Sequence, residues 1–173
     1  MTEAKKEISA EEAQVAIDLM DSLLDKNLDE VADLPEYAEQ VPNGMYMLTI
    51  ISKEKKVVSI QEKDKKEKTN APCIQFVYEI NECLELEKEE EREKVPKAGI
   101  RFNETVFFHR DVEKANSVLK AKFGDLGPSL GVERLGEIIN KLEGLKVGAL
   151  VKTKKDKNKE DTYYIQATNC KLL

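Results

Sequence analysis

Hydrophobic positions along this chain switch period three times, from helical to alternating, back to helical, and to alternating again. Near the start Ala16, Leu19, Met20, Leu23 and Leu24 recur at helical spacing. Ser9 followed by Glu12 forms an S-x-x-E capping box, in which each side chain can satisfy the other residue's free backbone amide. The apolar stripe must pack on something, whether the domain that follows, a second copy or a partner. Pro35 and Pro42 close the segment, and Asn43-Gly44 turns the chain into the next one. From Gly44 onward Tyr46, Leu48 and Ile50 alternate with Met45, Met47, Thr49 and Ile51, the mark of a strand with two unlike faces. Val57–Ile60 continues or re-forms this strand, and the lysine-rich stretch 63–70 has the composition of an exposed hairpin tip.

A second strand is the clearest in the chain: Ile74, Phe76, Tyr78 and Ile80 alternate with Gln75, Val77, Glu79 and Asn81. Glutamates dominate 85–94, a solvated linker or frayed helix ended by Pro96 and Gly99. Ile100–Phe108 predicts a third strand with Phe102, Val106 and Phe108 inward; Glu104 falls on the inward face and suggests a bulge. Asp111 is placed to cap a helix carrying Val112, Ala115, Val118, Leu119 and Lys122, broken at Gly124 and Gly127-Pro128. A shorter helix runs from Val132 to Leu142 and stops at Gly144. Leu145, Val147, Ala149 and Val151, then Tyr163, Ile165 and Ala167, give two last strands around a second lysine-rich tip, Lys152–Asp161.

The order after residue 40 is strand, strand, strand, helix, strand, strand. It predicts an α+β fold, mainly β: a five-stranded OB-type barrel over 41–173 with a helical insertion between strands 3 and 4, preceded by an acidic helical arm over 1–40. In such barrels oligonucleotides lie across strands 2 and 3 and between the loops joining strands 1–2 and 4–5. Here those loops are the two lysine-rich tips.

Net charge, −6, opposes a polyanionic ligand until its distribution is considered. Residues 1–40 hold three lysines against twelve carboxylates, a net −9, whereas 41–173 hold 25 basic against 22 acidic residues, a net +3. Such segregation marks an interaction tail. The three cysteines, Cys73, Cys83 and Cys170, lack CxxC spacing and have only His109 as an imidazole companion, so neither a disulfide scaffold nor a zinc site is expected. No apolar run approaches membrane-spanning length and no leader pattern opens the chain, which predicts a soluble protein of the cytoplasm. Catalysis is not expected: no nucleophile elbow, phosphate-binding loop or zinc-protease motif occurs, and His109 reads as a strand-end surface residue. No cofactor or metal is implied.

Unpaired nucleic acid is held by cations along its phosphates and by aromatic rings on which bases stack. Adjacent side chains on a strand face opposite ways, so Phe107-Phe108 and Tyr163-Tyr164 each predict one outward ring, Phe107 beside Arg101 and Tyr164 beside Gln166. The candidate contacts are Lys53, Lys55, Lys56, Lys63, Lys65, Lys66 and Lys68 at the first tip, Arg101 and Arg110 around strand 3, and Lys152, Lys154, Lys155, Lys157 and Lys159 at the second, with Phe107 and Tyr164 as stacking rings.

At Val41-Pro42-Asn43-Gly44-Met45-Tyr46, in the I-x-F-x-Y-E-I run of Ile74–Ile80 and in the L-x-G-L-x-V run of Leu142–Val147, the chain resembles phage-encoded OB-fold single-stranded DNA-binding proteins. The resemblance covers 41–173 and implies sequence-independent coating of exposed single strands during phage DNA replication, recombination or repair, in the cytoplasm of a bacterial host. Such proteins usually carry acid at the carboxyl end; this chain carries it in front. The arm is therefore expected to compete with DNA for basic surface or to recruit replication and recombination proteins. Alternatives from other classes are an interaction or scaffold module that self-assembles through the helical stripe, and an inhibitor whose acidic arm imitates DNA.

Overall fold

The computed structural model describes residues 9–24, 33–61, 66–157 and 159–173, except for the side chains of 22–24. Met1–Leu34 and Pro35–Leu173 are two compact units. In the first, helix α1 spans Ala10–Leu24. Its start is the predicted capping box: the Ser9 amide donates to the Glu12 carboxylate at 3.0 Å, and the Glu12 amide donates to the Ser9 hydroxyl at 3.2 Å. Val15, Ile17, Leu19 and Met20 are all at least half exposed.

The second unit is α+β. Strands β1 (Gly44–Gln61), β2 (Lys68–Leu86), β3 (Arg101–Phe107), β4 (Lys146–Lys155) and β5 (Tyr163–Leu172) form one antiparallel sheet in the order β3-β2-β1-β4-β5. The sheet is open, with β3 and β5 as its outer strands. Upstream, the Arg101 amide donates to Glu36 O at 2.8 Å and the Ala38 amide to Arg101 O at 2.7 Å, so residues 36–38 bind the entry of β3.

Strand alternation fixes the core. Tyr46, Leu48 and Ile50 of β1, Phe76, Tyr78 and Ile80 of β2, Phe102 of β3, and Val147, Ala149 and Val151 of β4 turn to one buried side. Helix α2 (Val112–Phe123) lies over them and buries Ala115, Leu119, Lys122 and Phe123. The Phe123 ring meets Phe76 at 5.1 Å between centroids. Asp111 caps α2 as expected, its carboxylate accepting from the Lys114 amide at 2.8 Å. Of the predicted stripe, Val112 is 57% exposed because it begins the helix, away from the sheet.

Local details change or sharpen these expectations. Gly127-Pro128 does not interrupt helical structure but lies inside α3 (Leu126–Leu130), where the proline sits in the first turn and needs no amide hydrogen. The last helix is shorter than expected, α4 covering Leu135–Asn140. Residues 89–94 form a 3-10 helix in which the Arg92 guanidinium grips Glu89. Gly44 is required by contact rather than by turning: a Cβ there would lie 2.2 Å from the carbonyl oxygen of Glu85 on β2.

The first hairpin is much longer than the core beneath it. β4 accompanies β1 only from Gly44 to Thr49, and β3 accompanies β2 only from Cys73 to Glu79, yet β1 and β2 stay paired to Gln61↔Lys68. A register shift at Ile51 reverses the alternation, so that Lys53, Lys55 and Val57 face Phe76, Ile74 and Pro72 across the ladder.

β3 carries no bulge. Its pairing with β2 runs unbroken from Cys73↔Phe107 to Glu79↔Arg101, and Glu104 points straight into the interior. It is held there by two partners: the Lys122 ammonium of α2, and the Ala167 amide of β5, which donates to Glu104 Oε2 at 3.1 Å. Lys122 also donates to the Ala167 carbonyl oxygen. Both backbone groups of Ala167 are thus satisfied by side chains reaching from β3 and α2, a side-chain clip between the two outer strands. Burial pushes the Glu104 carboxyl up from its ordinary range, against the lowering effects of Lys122, the Ala167 amide and Lys154.

Candidate nucleic-acid interface

β3 ends at the last rung of its ladder with β2: the Phe108 amide donates to Pro72 O at 2.9 Å, and Pro72 has no amide hydrogen to donate in return. The turn 108–111 then delivers the chain to the Asp111 cap, which sets Arg110 just outside α2 and Lys114 in its first turn. Phe107, last in the strand, faces outward and is 41% exposed. His109 presents its ring to the Phe107 edge at 5.7 Å and 89°.

These residues form one wall of a cleft of about 550 Å³. Across it stand Ile60 from the distal first hairpin, Asp156 and Lys159 from the β4–β5 turn, and Gln166 of β5, with Glu104 of the side-chain clip and Val106 also in its lining. The cleft brings the end of β3 together with Ile60 of the first hairpin and with Asp156 and Lys159 of the second lysine-rich tip; among the described residues no lysine of the first tip lines it. Its margin carries Arg110, Lys114 and Lys159 against Asp111 and Asp156. The Asp111 carboxylate is engaged in capping, and Glu104 is matched by Lys122. Cations with an accessible ring beside them suit a phosphate backbone and its bases.

The expected contacts divide. Phe107 and Arg110 line the cleft, and so does Lys159. Lys154 pairs with Tyr164 and Lys152 with Gln166 on one face of the second hairpin, where Tyr164 is 44% exposed. Lys55 and Lys66 are exposed, whereas Lys53 is half-buried. Lys56 is half-buried and bonded to Glu54 and to Gln75. Lys155 lies apart, with Tyr163, in a polar pocket built from 40–43, the 3-10 helix and Thr153. Lys63 and Lys65 lie outside the described residues.

Three expectations are revised by geometry. Arg101 does not flank Phe107: it opens β3 while Phe107 closes it, and its guanidinium binds Glu79 at 3.2 Å. Tyr163, expected inward, is 37% exposed because it begins β5, beyond the edge of the core. His109 is half-buried against Phe107 rather than a simple surface residue. Lys114 and Ile60 were not singled out in the sequence, although the Asp111 cap signal placed Lys114 one helical turn from Arg110.

Among the described residues no cluster of three or more histidine, cysteine, aspartate or glutamate side chains is arranged to hold a metal ion, and no helix is long and apolar enough to cross a membrane. No protein-family model and no curated protein matches this chain.

Proposed function

We propose that residues 35–173 form an OB-type module, its barrel left open along β3 and β5, that binds single-stranded DNA without sequence preference and performs no catalysis. The observation that carries this reading is the cleft in which Phe107 and Arg110 at the end of β3 meet Ile60 of the first hairpin and Lys159 of the second. A partly open five-stranded barrel offers that region to oligonucleotides. The strand would cross the end of β3, its phosphates following Arg110, Lys114 and Lys159 and a base stacking on Phe107. Lys152, Lys154 and Tyr164 extend the path along the second hairpin. Lys55, Lys66 and the tip beyond them extend it on the other side. In this reading Arg101 holds Glu79 and makes no contact with DNA. Together with the family resemblance of 41–173, this gives the protein a role in coating exposed strands during phage DNA replication, recombination or repair.

The test is titration of a labelled oligo-dT at several salt concentrations. Affinity should fall steeply as salt rises, because each phosphate contact releases counterions. Phe107→Ala should weaken binding by about 5- to 150-fold, the equivalent of about 1–3 kcal/mol for one stacked base. Absence of binding at low salt, or a Phe107→Ala chain that binds as the parent does, would overturn the proposal.

A further inference from the structure

Two features share only Lys55 with that reading, and their chemistries match. The first is α1. Ala13, Ala16, Ile17 and Met20 fall on one arc of the helix, while Glu11, Asp18 and Asp21 occupy the opposite side and its flank. Ile17 and Met20 are 50% and 58% exposed. The capping box starts this helix through its own residues, so the arc is presented by a segment with a built-in start. The second is a groove of about 520 Å³ in the other unit, where the first hairpin overhangs α2 and α4. Val57, Pro72, Phe108, Leu135 and Ile139 give it apolar walls, and Lys55 stands at its margin. Val57 is 64% exposed, an apolar side chain that the hairpin's register shift leaves directed toward this groove.

We infer that this groove receives helix α1 of a second copy of the chain, so that copies associate head to tail. An apolar arc flanked by acid seeks an apolar groove flanked by base. Pairing of α1 with another α1 is disfavoured, because residues 1–40 carry a net −9. The net charge of 41–173, +3, favours the heterologous contact over a symmetric one. Head-to-tail contacts propagate: each copy offers one helix and one groove, so association is open-ended or closes as a ring or reciprocal dimer.

Sedimentation of the full chain without DNA tests this separately from the nucleic-acid reading. Average mass should rise with protein concentration and the rise should shrink with salt. An Ile17→Glu/Met20→Glu chain, altered only on α1, and a Val57→Glu chain, altered only in the groove, should each stay monomeric while keeping the parent's circular dichroism. Mixed together they should form a one-to-one heterodimer, since the first retains a groove and the second retains a helix. A parent that is monomeric at every concentration, association that survives either substitution, or a mixture that stays monomeric would each overturn the inference. Oligo-dT affinity of the two variants should remain that of the parent at low protein concentration.

Discussion

β3 contributes two carboxylate–cation pairs to the molecule, and they differ in every respect that matters energetically. At its start Arg101 binds Glu79 at 3.2 Å on the outer face, both side chains about a quarter exposed. Three residues further on, Glu104 binds Lys122 with both side chains almost wholly enclosed. The outer pair trades hydration for an attraction that water and salt screen, and is worth little. The inner pair has given up hydration altogether, and is tolerable only because Ala167 supplies a donor and an acceptor to the same two side chains. Similar chemistry thus decorates one end of a strand and holds its middle to another part of the chain.

The strongest way to break this comparison is to remove one inner partner. Glu104→Ala or Lys122→Ala should lower stability by about 3–5 kcal/mol in urea unfolding, since each leaves a buried charge and an unsatisfied Ala167 group. Glu104→Leu combined with Lys122→Met removes both buried charges but leaves the Ala167 amide and carbonyl unpaired, so it should recover only part of that loss; a double variant as stable as the parent would show that Ala167 finds other partners. Next comes a titration of the same interior. Burial pushes the Cys170 thiol from 9.0 up to about 12, so the thiol ionises first in the unfolded chain. The stability it contributes is complete below about pH 9 and disappears as pH climbs toward about 12. Cys170→Ala should lower the alkaline slope by about one proton, or about 1.4 kcal/mol per pH unit. An unchanged slope would place the responsible group elsewhere.

A smaller effect concerns Tyr78, whose ring stacks on Phe102 at 4.9 Å while its buried hydroxyl has no hydrogen-bond partner among the described residues. Tyr78→Phe keeps the stack and removes the stranded oxygen, so stability should hold or rise by about 1 kcal/mol, and a clear loss would reveal a partner. The smallest effect is expected at the outer pair: Arg101→Ala should cost about 1 kcal/mol or less and leave oligo-dT affinity unchanged. If that substitution weakened DNA binding tenfold, the interface would have to extend to the far end of β3.

What the sequence made legible follows from how far each interaction reaches. Alternation identified the β strands because inward and outward positions are decided residue by residue, and the caps at Ser9 and Asp111 were readable because donor and acceptor lie three positions apart. The first hairpin was legible in part: Val57–Ile60 was expected to carry on the first strand, but Lys68–Asn70, read as tip, already pair with Ser59–Gln61, and the shift at Ile51 breaks the alternation without ending the ladder. The inner pair left a trace that neither segment could interpret alone. Glu104 is an acid at an inward strand position, and Lys122 is a base in the apolar stripe of a helix. Two misplaced charges of opposite sign, each in a core-facing position, point to one another once both are considered together. The cleft was legible only in part for the same reason. Phe107 announced itself through its neighbour Phe108, whereas Ile60, Lys114 and Gln166 acquire their place only when hairpin, helix and sheet edge converge.

The clip at Ala167 also orders events in time. β1 and β2 are neighbours in sequence, Gln61 pairing with Lys68, whereas Glu104 and Ala167 are 63 positions apart. Their junction must await a formed β3, a docked α2 and a completed β5, because it draws one group from each. Refolding should therefore bring the long hairpin together early and lock the seam last. A chain arrested before that last step would have its two outer strands, β3 and β5, still unjoined.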